Sequence, residues 1–181
     1  MSDTGTKTIT DAELVEAITR ATHEVFSMMM GMELSPGEPF CGRSAGTEAG
    51  VLALVGLAGQ WNGTGSVSCS PKMARHLASL MLMGDYESID DEVLDAIAEI
   101  ANMIIGNIKT ELEQKIGSMA LSTPTVIFGH NFETRRVGGQ EWISVPFPCE
   151  GEEIRVQVCL APARDGGTQR PGFTLPHAVQ L

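Results

Sequence analysis

Apolar residues recur at the helical period between residues 10 and 31: Leu14, Val15, Ile18, Ala21 and Val25, continuing into Phe26, Met28, Met29 and Met30. Thr10 with Glu13 three residues on is a capping box for this helix, and Gly31 stops it. Residues 35–50, rich in Gly, Pro and Ser, predict a loop or irregular edge. Residues 51–58, VLALVGLA, are a compact apolar run bounded by Gly50 and Gly59 and predict a buried strand. Asn62-Gly63 has turn chemistry, and residues 66–70, SVSCS, alternate, so the pair predicts a hairpin. Ser70 followed by Pro71 opens a short helix, PKMARHLASLML, that ends at Gly84. A long helix follows from about residue 90 to residue 116, stopping before Gly117.

Three strand candidates come next. Residues 119–128 contain Pro124, residues 142–147 alternate apolar and polar, and residues 153–160 place Ile154, Val156, Val158 and Leu160 on one face. The stretch GHNFETRRVGGQ between the first two reads as a long hairpin connection. Helix, hairpin, two helices and a run of strands predict an α+β fold, a two-layer domain with helices packed on an antiparallel sheet. The domain is expected over residues 10–161. Residues 1–9 read as a disordered lead-in, and residues 162–181, rich in Pro, Gly and Thr, as a loose tail.

Composition narrows the function classes. The 181 residues suit one domain with a real core, and 43% of them are hydrophobic. No apolar run approaches the ~20 residues of a membrane helix. The polar start MSDTGTKTIT is unlike a signal peptide, so a cytoplasmic protein without membrane insertion is expected. A net charge of −11 argues against a nucleic-acid partner, which needs clustered Lys and Arg. Cys41, Cys69, Cys149 and Cys159 form no CxxC pair, so free thiols are expected and a structural zinc is not. His23, His76, His130 and His177 are scattered, and no HExxH, P-loop or GxSxG occurs. No metal or cofactor of its own is expected.

One pattern remains, on the helix DDEVLDAIAEIANMIIGNIKTELEQKI. At about 100° per residue, Val93, Leu94, Ile97, Ile100, Ala101, Ile104, Ile105, Ile108 and Leu112 share a broad apolar side. Asp95, Glu99, Asn102, Gly106 and Lys109 form a narrow stripe opposite, at the intervals that make helical neighbours. Asn102 is a poor helix former because its amide competes for backbone groups. Gly106 costs roughly 1 kcal/mol against Ala in a helix interior and leaves the helix bare there. No Lys or Arg interrupts the acids between Arg75 and Lys109. Acids near a helix start are also favoured by the macrodipole, and an exposed face is ordinarily polar, so the pattern alone does not define a site.

Asp95, three residues, Glu99, two residues, Asn102, and then Pro124 with 21 residues between, resembles the signature of the CheC/CheX/FliY chemotaxis phosphatases. The Pro124 spacing is one residue short of the usual pattern. A single copy of the motif resembles the one-site CheX branch. The resemblance implies the substrate, an aspartyl phosphate on a CheY-like response regulator that carries its own Mg²⁺ and a Lys. It implies that Asn102 orients the attacking water, that Glu99 pairs with the receiver's Lys, that Asp95 and Gly106 support docking, and that Pro124 is structural. It also implies a homodimer, for which the segment IRVQVCL offers a strand able to pair across an edge. A non-catalytic adapter docking a receiver or a flagellar partner is the alternative. A small-ligand or metal sensor is a weaker one, because ligand clusters are lacking.

Overall fold

A computed structural model of the chain describes residues 8–135 and 140–163, without the side chains of residues 44–49, 133 and 135. Residues 1–7 of the expected lead-in and residues 164–181 of the expected tail lie outside them.

Three helices and seven strands follow the order α1 (Asp11–Met30), β1 (Phe40–Gly42), β2 (Ser44–Gly59), β3 (Trp61–Cys69), α2 (Pro71–Leu82), α3 (Asp91–Ile116), β4 (Met119–Leu121), β5 (Thr125–Arg135), β6 (Trp142–Cys149) and β7 (Glu152–Pro162). Every described strand pairing is antiparallel, in the order β1-β6-β7-β3-β2, with β4 and β5 sharing the far side of β2. This is the expected α+β two-layer architecture.

The helix starts follow their caps. The Thr10 hydroxyl accepts from the Glu13 amide while the Glu13 carboxylate accepts from the Thr10 amide. Ile9, within the expected lead-in, packs against the core before the cap. Ser70 accepts from Met73 N–H, and the Asp90 carboxylate from Val93 N–H, with Asp91 and Glu92 favoured in the first turn of α3. α2 ends at Leu82, and its left-handed cap is Met83, one residue before Gly84.

The strands depart further from expectation. Residues 40–42 and 44–50 are strand and not loop. The hairpin turns at Gln60, not at Asn62-Gly63, which lie in β3. Asn62 acts through its side chain, whose Oδ1 accepts from Gly59 N–H at 3.1 Å. Gly63 is required by crowding, since a Cβ there would stand 2.2 Å from the Cys159 carbonyl oxygen. The single strand expected over residues 119–128 is broken into β4 and β5, and β5 takes in residues 129–135 of the expected connection. Residues 142–147 do not alternate: all are buried, and Ser144 accepts from Gln157 Nε2 at 2.7 Å. The segment IRVQVCL lies inside β7, paired with β3 and β6, so it is no free edge for a dimer.

The main core lies on one face of the sheet. Val51, Ala53, Val55, Val67, Val145, Ile154, Val156 and Val158 meet the apolar sides of the helices there. A small cluster of Trp142 and Cys159 with Leu54 lies on the other face. Gly65 lets α3 sit close to the sheet: a Cβ would fall 2.3 Å from Ile105 Cδ1. That fit fixes the height and the rotation of α3, and so sets which side chains it turns outward.

Candidate active site on the third helix

The buried side of α3 matches the apolar face read from sequence: Val93, Ile97, Ile100, Ala101, Ile104, Ile105, Ile108 and Leu112 are all buried, while Leu94 is half-buried. With that side committed to the sheet and to the other helices, the stripe is turned outward. Asp95 and Glu99 are exposed, and Asn102 and Gly106 are half-buried. The side chains of Asp95, Glu99 and Asn102 make no hydrogen bond or ion pair with any described residue. Their polar groups are therefore available to a partner.

Both ends of the stripe are tied down. At the start, the Tyr86 hydroxyl donates to Glu92 Oε2 at 2.9 Å, and Arg75 Nη1 donates to the Glu87 carbonyl at 2.8 Å. The Glu92 hydrogen bond pushes the Tyr86 hydroxyl pKa up. At the finish, Lys109 pairs with Glu113 at 3.0 Å, and Glu113 Oε1 accepts from Met119 N–H at 2.7 Å. These bonds, the backbone one foremost, hold the Glu113 pKa below the usual carboxylate range. Lys109 is thus engaged, and the open part of the stripe narrows to Asp95, Glu99, Asn102 and Gly106.

Gly106 and Pro124 meet the same structural feature. A Cβ at Gly106 would stand 3.7 Å from Leu121 Cδ1, an ordinary contact, so the packing of this chain does not demand glycine there. Leu121 ends β4, and Pro124 lies in the break before β5. Lacking an N–H, proline cannot donate to a ladder, and Ser122 takes over the pairing with β2. Ser122 N–H donates to the Gly56 carbonyl at 2.9 Å, and Ser122 Oγ accepts from Gly56 N–H at 2.8 Å. The sequence carried no signal for that role of Ser122.

Among the described residues no group of three His, Cys, Asp or Glu is placed to hold a metal. All four cysteines are free thiols, and burial pushes Cys69 up to about 12. Two clefts, one beside Thr10 and Trp61 and one beside Arg75 and Tyr86, include none of the four open stripe residues. The arrangement is a projecting edge that offers an amide and a carboxylate one helical turn apart, suited to entering a partner's site.

Comparison with known proteins decides the family. The family described as chemotaxis phosphatase CheX matches residues 51–148, which include α3 and Pro124. The chain belongs to the CheX family. The CheY-P phosphatase CheX of Thermotoga maritima is 26% identical over 129 residues, 71% of this chain and 83% of that protein. A CheX crystal structure from Desulfovibrio desulfuricans is 30% identical, with a TM-score of 0.73, over 82% of this chain and 99% of that one. A Borrelia burgdorferi CheX, solved as a complex with CheY, BeF₃ and Mg²⁺, is 28% identical, with a TM-score of 0.68, over 81% and 97%. No described helix of this CheX-family chain is long and apolar enough to cross a membrane.

Proposed function

We propose that this protein hydrolyses the aspartyl phosphate of a CheY-type response regulator, with Asn102 and Glu99 as the groups that enter the regulator's site. The observation that carries this reading is the open pair itself. Glu99 and Asn102 stand one turn apart on a rigid helix, unpaired within the described chain, in a member of the CheX family.

Phosphoryl transfer requires positioning and charge stabilisation more than new covalent chemistry. The Asn102 amide has both functions needed to hold one water: its C=O accepts from the water, and its NH₂ donates to a phosphoryl oxygen. The water oxygen attacks phosphorus, the bond to the aspartyl oxygen breaks, and a free carboxylate and inorganic phosphate result. Glu99 pairs with the receiver's Lys and sets the register. Asp95 and Gly106 support docking, and Pro124 shapes the edge beside them. The Mg²⁺ belongs to the receiver, and this chain contributes no metal. A cytoplasmic location and a homodimer are part of the proposal. The strands whose outer edges face no other described strand, β1, β4 and β5, are the places where a second copy could add. The test is loss of phosphate from a phosphorylated receiver with and without the protein. Acceleration supports the reading, and equal rates despite demonstrated binding favour the adapter.

A further inference from the structure

Phe128 is 47% exposed on β5, which pairs with β2 on one side and with no described strand on the other. It stands opposite Val51, and residues paired in this way point to the same face of a sheet. Val51 is in the core beneath the helices, so Phe128 also projects to the helix side.

Its position along α3 follows from two contacts. Ile105 sits over Gly65, which pairs with Val55, and Gly117, just past the helix, meets Gln60 at the β2–β3 turn. The helix therefore runs toward that turn. Going back from Val55 to Val51 covers about 13 Å of strand, or about nine residues of helix. That places Phe128 level with the segment of α3 that carries Asp95, Glu99 and Asn102. Leu121 lies against Gly106 on that side of the helix, and the half-buried Val126, opposite Ala53, shares the helix-side face of β5 with Phe128.

We infer that Phe128 is the apolar contact for the receiver face that carries the phosphoaspartate, so that docking combines this ring with the Glu99 pair. A lone exposed aromatic is ordinary surface; its place level with the open amide and carboxylate sets this one apart. Exposed ion pairs contribute little affinity, whereas a ring covered on docking contributes much. Glu99 then fixes register and Phe128 supplies grip. This inference rests on the proposed function and extends its site onto the sheet edge.

The test is a binding titration of a CheY-type receiver from the same organism, loaded with Mg²⁺ and beryllofluoride, against wild type, Phe128→Ala, Phe128→Leu and Asn102→Ala. Thermal melts confirm that each variant is folded. Phe128→Ala should weaken binding about tenfold, with Phe128→Leu recovering most of it. Asn102→Ala should still bind. Equal affinity of wild type and a folded Phe128→Ala overturns this inference and leaves the proposed function standing. A wild type that does not bind the receiver overturns both.

Discussion

Asn102 and Gly106 are both poor choices for a helix interior, yet both sit on the one face of α3 that the rest of the fold leaves open. The two differ in what the structure says about them. Asn102 is half-buried and makes no hydrogen bond with any described residue, so its amide remains available. Gly106 has room for a methyl group, with Leu121 at an ordinary 3.7 Å. Gly106→Ala should therefore raise stability by roughly 1 kcal/mol. If the receiver comes close at this point, the same change should raise KM for the phosphorylated receiver. A gain in melting temperature with unchanged KM would remove Gly106 from the docking surface. The Asp95, Glu99 and Asn102 spacing was legible because a helix turns local spacing directly into a shared face. Phe128 was not, because its place depends on the register of β5 with β2, a long-range pairing that local sequence does not state.

At the level of elements, the helices followed their caps and the strands did not follow their turn residues. Asn62-Gly63 looks like a hairpin turn because both residues favour one. The chain uses them instead for a side-chain hydrogen bond and for a close backbone approach. The strand containing Pro124 breaks where proline cannot donate, and Ser122 restores the pairing with Gly56. Gly65 carries the largest consequence for the site, because the height of α3 depends on it. Gly65→Ala would force Ile105 away and cost about 2 kcal/mol in denaturant unfolding. Turnover should fall as well, although Gly65 lies beneath α3 and makes no proposed contact with the receiver. An alanine variant with wild-type stability would show that the α3–β3 contact is looser than described.

Across the whole molecule, ion pairs join the first and third helices at two levels. Lys115 of α3 pairs with Glu13, and Arg20 pairs with Glu111 at 3.3 Å. The Lys115 contact, helped by Thr10, lowers the Glu13 pKa from 4.5 to about 2. A carboxylate lowered in this way stabilises the fold fully above pH 4.5 and loses that contribution as the pH falls toward 2. Glu113 and Glu152 shift in the same direction. Stability should therefore decline through this acid window, and Glu13→Gln should flatten part of the decline. An unchanged acid profile in Glu13→Gln would assign the loss to other groups.

On the proposed function, this surface performs its chemistry in another protein's site and does so through one amide. The most direct test is the rate of phosphate loss from a phosphorylated CheY-type receiver at saturating protein, wild type against Asn102→Ala, with binding measured in parallel. The expected result is a wild-type acceleration that Asn102→Ala lowers by about a hundredfold while binding persists, as loss of a water-positioning group requires. Wild-type turnover in a bound Asn102→Ala variant would remove Asn102 from the chemistry.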